Sequence, residues 1–390
     1  MSIPFWVLAT LAVTLAFTQL RTAAQVRGHY RPIDSDVPSE RPPVTVLVPL
    51  RRDTPGLARR LDALVRATRA GDLTHLGDQL LLALESVDDP AHAVAQDVRR
   101  AHPTREIGIV LAGPPGERLG ERHQLAVALT HANHALLAFM ADDVELERAN
   151  LDEGIRLASV PGAGAVFAIP YYAGNGPLGG GVVAAYNNYG FVPTMASLAT
   201  RGAPRFLIDG LWVTTRTALD VAGGLERHTR SLHADAAIGE AMRAAGRRNR
   251  PMRRPVRRVH AALGPLDGVR HVLERLTLLR AQGAVLYAMM ALSWNPLALA
   301  LVAGLVGWAT PGIAAGIAVG VVGVTVALRC SGVVLLNRGV YRRLPRTRYL
   351  ASTLLFEAAV APWLVVLAGF RRHVVRGGHR YRIGAGGEIA

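Results

Sequence analysis

Residues 44–50 read Val-Thr-Val-Leu-Val-Pro-Leu, a short β-branched apolar run of the kind that forms a strand buried on both faces of a parallel sheet. Working outward, an amphipathic helix is expected around Gly56–Ala70, a strand at Gln79–Leu84 and a helix at Ala91–Arg100. A third strand follows at Ile107–Leu111, a helix at Gln124–His131, and a fourth strand at Ala135–Met140 that runs into Asp142. Further on, Gly210–Gly224 predicts a strand, a helix from near Thr217 and a Gly-Gly stop, and Ala236–Ala245 predicts another helix. Strand and helix alternate with short breaks, which is the pattern of an α/β, doubly wound sheet domain. Ligands of such sheets sit at the carboxyl ends of the strands, so polar residues there are the first candidates for chemistry.

Charge and hydropathy divide the chain. Half of its 390 residues are hydrophobic, yet the formal net charge is +15. The two values are compatible because apolar and basic stretches are segregated, as expected beside an anionic cytoplasmic leaflet. No nucleic-acid-binding motif accompanies the basic excess, and aromatic residues are 6% of the chain, which argues against a nucleic-acid partner. Ile3–Leu20 is an apolar run followed by Arg21, Arg27 and Arg31. No positive charge precedes it, which favours an N-terminal anchor over 1–22 rather than a cleaved signal peptide. Arginines on its C-terminal side put the following domain in the cytoplasm.

A linker is expected through 23–42 and the α/β domain over 43–268. Val269–Arg280 alternates apolar and basic residues at helical spacing, so 269–283 reads as an interfacial amphipathic helix. Gly283–Trp308, Pro311–Leu328 and Leu350–Phe370 are long and nearly uncharged apart from Glu357, giving about three membrane segments within 284–372 before a basic tail at 373–390. Three full crossings would put that tail on the far side, whereas its arginines favour the cytoplasmic side. The conflict disappears if one segment is re-entrant or interfacial, or if the segments are fewer.

Asp142-Asp143 closes the fourth strand, where carboxylates can reach a divalent cation such as Mg²⁺ or Mn²⁺ between two phosphates. The alternative is a polar strand end capping the next helix. Asp235, ahead of Ala236–Ala245, is either that helix's N-cap or a general base for an acceptor hydroxyl. The basic run Arg243–Arg258 reads as a juxtamembrane face or as a phosphate-attracting patch, and His260 as a solvated histidine or a metal or diphosphate contact. A single cysteine, Cys330, excludes an intramolecular disulfide framework.

Five stretches in order resemble the ceramide glucosyltransferase group and its bacterial hopanoid-associated relatives, which have the GT-A fold: Leu81–Ala91, Leu136–Leu146, Ala168–Tyr172, Gly210–Leu225 and Ala234–Gly246. The resemblance spans Val44 to Arg280 and includes the layout of one N-terminal anchor and C-terminal spans. It implies a nucleotide-sugar donor, a lipid hydroxyl acceptor, a divalent cation and inverting transfer at the cytoplasmic face of the cell membrane. The second family aspartate falls on Asp142 and the third, the presumed base, on Asp235. The first falls on Ser86, with Glu85 and Asp88 as neighbouring candidates for the donor site. Val144 stands where the Asp-x-Asp pair would end, leaving Asp142 and Asp143 as the metal candidates. A family lysine appears as Arg122, and the last motif keeps only Arg275, lacking its leading polar residue and its tryptophan. These departures give the rival reading, a catalytically inactive relative that binds a lipid, a nucleotide or a protein. A small transporter is a third reading, disfavoured by the few spans and their low polar content.

Overall fold

The computed structural model describes residues 3–30, 41–51, 56–71, 76–174, 179–202, 204–260, 263–342, 350–376, 379–384 and 388–389. Residues 31–40 of the expected 23–42 linker and 343–348 of the basic stretch Arg338–Arg348 lie outside them, while 23–29 are helical and not linker. The chain begins with α1 (Ile3–His29), helical well past Leu20 and through Arg21 and Arg27. Then come β1 (Val44–Pro49), α2 (Leu57–Ala67), β2 (Gln79–Leu84), α3 (Pro90–Ala101), β3 (Glu106–Leu111), α4 (Gly120–Leu129) and β4 (Leu136–Met140). Asp89 caps α3 by accepting from Ala91 N, with Pro90 at the first helical position, where no N–H is needed. Next are β5 (Val144–Glu145), α5 (Arg148–Ala158), β6 (Ala163–Ala168), β7 (Pro170–Gly174), α6 (Gly179–Tyr186), a π-helical turn Asn187–Phe191, and α7 (Val192–Ala199). β8 (Leu211–Thr215) leads into α8 (Arg216–Val221), whose end is marked by Gly223 and Gly224, both at positive φ. After α9 (Ala234–Ala244), β9 (Arg248–Pro251) and β10 (Val256–His260), the apolar part comprises α10 (Pro265–Gln282), α11 (Ala284–Ser293), α12 (Pro296–Ala309) and α13 (Ala315–Gly339). The last stretch holds α14 (Leu350–Leu355), a π-helical turn Phe356–Val360, α15 (Ala361–Phe370), β11 (His373–Arg376) and β12 (His379–Arg382).

The chain forms two compact units. One comprises 32–171, 198–261 and 375–390, and holds a sheet in the order β3-β2-β1-β4-β8-β6-β9. β1 pairs in parallel with β2 and β4, and β2 with β3. β8 runs antiparallel to both β4 and β6, so the sheet is mixed; strand direction leaves no mark in composition. Val46, Val48, Leu80, Leu82 and Ala138 form one continuous core with Leu61, Leu64 and Leu151 from the flanking helices. The strand order reverses at β1, with β2 and β3 on one side and β4 on the other, which opens a crevice at the carboxyl ends of β1 and β4. Near the amino ends, Asp78 accepts from Arg41 Nη1 at 2.9 Å, from Val44 N and from Arg69 N, a buried cluster that pins the strand starts.

The other unit comprises 1–31, 172–197 and 262–374. Residues 172–197, inside the expected 43–268 span, therefore group with the apolar helices. Close packing explains why: a Cβ on Gly268 of α10 would stand 2.6 Å from the carbonyl oxygen of Gly179 in α6, so the two backbones touch. Ala185 and Tyr186 continue this contact into an apolar cluster with Val272, Leu276, Leu279, Trp294, Phe356 and Leu364. α10 covers most of the expected amphipathic stretch and buries its apolar face in that cluster.

Among the described residues, three helices are long and apolar enough to cross a membrane: Ile3–His29, Ala315–Gly339 and Leu350–Phe370. The first expected C-terminal segment, Gly283–Trp308, is a pair, Tyr287–Ser293 and Pro296–Ala309, bent by 65°, which is a broken span or a re-entrant loop. Pro296 lacks the N–H that would carry a helix through the break. α13 runs eleven residues past Leu328, taking Arg329 into the helix. There Arg329 Nε donates to Glu357 Oε2 at 2.9 Å, and both side chains are buried. Pairing is what makes two charges tolerable in such a setting.

Candidate active site

The crevice at the carboxyl ends of β1 and β4 holds a chain of alternating carboxylates and guanidiniums. Arg51 follows β1 by two residues, and Asp142 and Asp143 follow β4. The Asp142 carboxylate accepts from Arg51 Nε at 2.9 Å, from its Nη2, and from the Arg51 backbone N at 3.0 Å. Arg60 Nε, reaching from α2, donates to the Asp142 carbonyl oxygen at 2.9 Å. Arg258 holds Asp143 by two parallel bonds, Nε at 3.0 Å and Nη2 at 2.9 Å, the fork geometry that suits guanidinium and carboxylate. Its Nη1 reaches Asp209 at 3.1 Å. Arg51 also lies 3.5 Å from Asp143 and from Glu121, at the start of α4.

Arg122, one residue further along α4, donates from Nη2 to Asp235 Oδ2 at 2.7 Å. Burial works against the charge on Arg122, but Asp235 and then Asp209 outweigh it and hold its pKa above the usual value. The same balance applies to Arg51, where Asp142, Glu121 and Asp143 outweigh burial. Four candidates, Arg122, Asp142, Asp143 and Asp235, thus meet in one electrostatic neighbourhood with Arg51, Glu121, Asp209 and Arg258.

Neither capping alternative holds. The helix after Asp142-Asp143 is capped by Glu147 with Asn150 in a reciprocal box, and the N-cap of α9 is His233, with Asp235 in the first turn. The basic run Arg243–Arg258 divides among elements: Arg257 pairs with Glu145 at 2.8 Å, and Arg258 is buried in the crevice. The side chain of His260 lies outside the described residues.

Glu85, Ser86 and Asp88 follow β2, the strand beside β1. Ser86 Oγ accepts from Asp88 N at 3.2 Å and Asp88 is exposed, so this turn is closed by its own local bonds. Arg275 belongs to α10 of the other unit, half-buried near the Tyr186 hydroxyl, whose pKa is pushed up by burial and drawn down by Arg275. Arg51, Asp209 and Glu121 went unrecognised in the sequence, and Arg258 entered only as the end of the basic run. Arg51 alone carried a signal, a charged residue at the carboxyl end of the central strand.

Hard carboxylate oxygens at a strand end, already countered by a partly exposed cation, are a donor set that fits Mg²⁺ or Mn²⁺ at Asp142. Among the described residues, no group of three or more His, Cys, Asp or Glu side chains is arranged as a metal cage, so coordination would be completed by phosphate or water.

Several solved structures are similar to this chain at low identity. One is the mannosyltransferase PcManGT from Pyrobaculum calidifontis, in complex with GDP-Man and Mn²⁺: 18% identity, 91% of this chain, 99% of that chain and TM-score 0.46. Another is glucosyl-3-phosphoglycerate synthase from Mycobacterium tuberculosis, with Mn²⁺, UDP and glucosyl-3-phosphoglycerate: 14% identity, 70% of this chain, 85% of that chain and TM-score 0.36. A third is S. aureus TarS 1–349 in complex with UDP-GlcNAc: 12% identity, 89% of this chain, 98% of that chain and TM-score 0.39. No curated protein matches by sequence. The family model for glycosyl transferase family 21 matches residues 4–389, taking in the α/β unit, the carboxylate-bearing crevice and the apolar helices together. With its sheet, its aspartate-bearing strand end and its flanking membrane-type helices all inside that match, the chain belongs to glycosyl transferase family 21.

Proposed function

We propose that the protein transfers a sugar from a nucleotide-sugar donor to a lipid hydroxyl at the cytoplasmic face of a cell membrane, with inversion at the anomeric carbon. The observation that carries this reading is the meeting of Asp235 and Arg122 with the Asp142 neighbourhood beyond the carboxyl ends of the paired strands β1 and β4. Family membership supplies the class of reaction.

In this reading Asp235 takes the proton of the acceptor hydroxyl as its oxygen attacks the anomeric carbon, and the bond to the nucleoside diphosphate breaks. Arg122 orients Asp235 through Oδ2 and adds positive charge near the leaving group. A divalent cation at Asp142, with Asp143 beside it, would neutralise charge on the diphosphate. Glu85, Ser86 and Asp88 contact the nucleoside side of the donor, and Arg275 on α10 meets diphosphate or acceptor. The membrane helices deliver the acceptor laterally. If the bent pair Tyr287–Ser293 and Pro296–Ala309 is re-entrant, two continuous C-terminal spans return the basic tail to the side of the α/β unit.

The test is transfer from GDP- and UDP-sugars to extracted lipid by purified membranes containing the chain. Wild type should exceed background, and Asp235→Asn should fall to it. Equal turnover by the two above background would remove Asp235 from the mechanism, whereas wild type and variant both at background would favour the non-catalytic reading, for which the local closure of Ser86 is the supporting observation.

A further inference from the structure

Asp142 and Asp143 are adjacent and both buried, but their partners differ in one respect. The Arg258 side chain is 4% exposed and locked between Asp143 and Asp209. The Arg51 side chain is 37% exposed while the Asp142 side chain it covers is fully buried. Arg51 can therefore leave Asp142 toward solvent without crossing the core, whereas Arg258 cannot leave Asp143 without dragging a charge through it. Arg51 also has a second carboxylate, Glu121, at 3.5 Å, and it sits at the end of the central strand, on the rim of the crevice.

We infer that Arg51 is the resident counter-cation of Asp142, yields that carboxylate when a divalent cation binds, and then turns to the diphosphate of the donor. The inference rests on the donor reading given above. Charge bookkeeping supports it. With Arg51 on Asp142 the local pair is neutral, so the buried carboxylate is compensated before a cation binds. Exchange for a dication adds two positive charges and frees the guanidinium beside them, which matches the negative charge that a diphosphate brings. Cation and nucleotide binding are thereby coupled, each favouring the arrangement the other needs. Asp143 loses only its 3.5 Å contact with Arg51 in the exchange and stays held by Arg258, so the cation ligand narrows to Asp142.

The test uses the full chain in detergent, with free Mn²⁺ followed by electron paramagnetic resonance. Without nucleotide, Arg51→Gln should bind Mn²⁺ about tenfold more tightly than wild type, because the competing guanidinium no longer holds the site closed. With saturating Mn²⁺, the same variant should bind GDP and UDP about tenfold more weakly. Arg51→Lys, which keeps the charge but not the fork, should fall between the two on both readouts and serves if Arg51→Gln does not fold. Adding Asp142→Asn to Arg51→Gln should abolish the gain in Mn²⁺ affinity. Unchanged or weaker Mn²⁺ binding by both Arg51 variants, with wild type binding Mn²⁺ and nucleotide, overturns this inference and leaves the proposed function standing. Absence of Mn²⁺ and nucleotide binding in wild type overturns both.

Discussion

Replacing Asp143 should damage the fold, whereas replacing Asp142 should chiefly damage the function, although both side chains are buried neighbours. In Asp143→Ala, Arg258 loses a two-bond partner while remaining almost wholly enclosed. Stranding a buried charge in this way costs about 3–5 kcal/mol. Asp209 still accepts from Nη1, so the expected loss lies near the lower end, about 3 kcal/mol. In Asp142→Ala the stranded Arg51 is partly exposed and has Glu121 and Asp143 nearby. Its cost reduces to a lost acceptor for the Arg51 backbone N–H and a small cavity, about 1–2 kcal/mol. At about 2–4 °C per kcal/mol for a domain of this size, the midpoint should fall about 6–12 °C for Asp143→Ala and about 2–8 °C for Asp142→Ala. Thermal unfolding of the full chain in detergent at one scan rate measures the difference, and Mn²⁺ titration of the same samples measures function. A larger drop for Asp142→Ala than for Asp143→Ala would refute the exposure argument on which the assignment of the two carboxylates rests.

Asp235→Asn should lower transfer about a hundredfold or more while leaving nucleotide binding within a few fold, read as product formed against nucleotide affinity. Glu357→Gln strands Arg329 among apolar helices and should cost about 3–5 kcal/mol, while the pair replaced together by leucines should recover most of the thermal midpoint. Gly268→Ala drives a methyl group to 2.6 Å from the Gly179 carbonyl oxygen and should cost about 1–3 kcal/mol, seen as lower yield and midpoint. Burial, with Arg227 and Arg122 nearby, holds the pKa of His228 below its ordinary 6.5 despite a hydrogen bond with the Ala222 backbone. The folded state therefore resists protonation: stability is intact above pH 6.5 and declines as pH falls below it. His228→Gln should flatten that decline in midpoints taken between about pH 7.5 and 5.5, and an unchanged slope would assign the decline to other groups.

The alternation of Val44–Leu50, Gln79–Leu84, Ile107–Leu111 and Ala135–Met140 with amphipathic helices was enough to place the α/β sheet, because side-chain periodicity is a local property. The apolar runs were legible for the same reason, within the limits that charge imposes. The expected span ended at Leu328 because Arg329 looked like a terminus, and only Glu357, on another helix, makes it part of the interior. Asp142 and Asp143 were found because topology places ligands at strand ends, Asp235 because it stands ahead of a helix, and the resemblance then gave Asp142 and Asp235 their roles. Their partners were not legible. Arg51 lies 91 residues from Asp142, Arg122 lies 113 from Asp235 and Arg258 lies 115 from Asp143, and no local pattern records a contact across such distances. By itself, then, the sequence determined the elements, their order and the segregation of apolar from basic chain. Tertiary structure alone decided the antiparallel β8, the grouping of 172–197 with the apolar helices, and which guanidinium faces which carboxylate. The physical reason is that elements follow from near neighbours along the chain, while the charges of a site are paired only when the folded sheet brings its strand ends together.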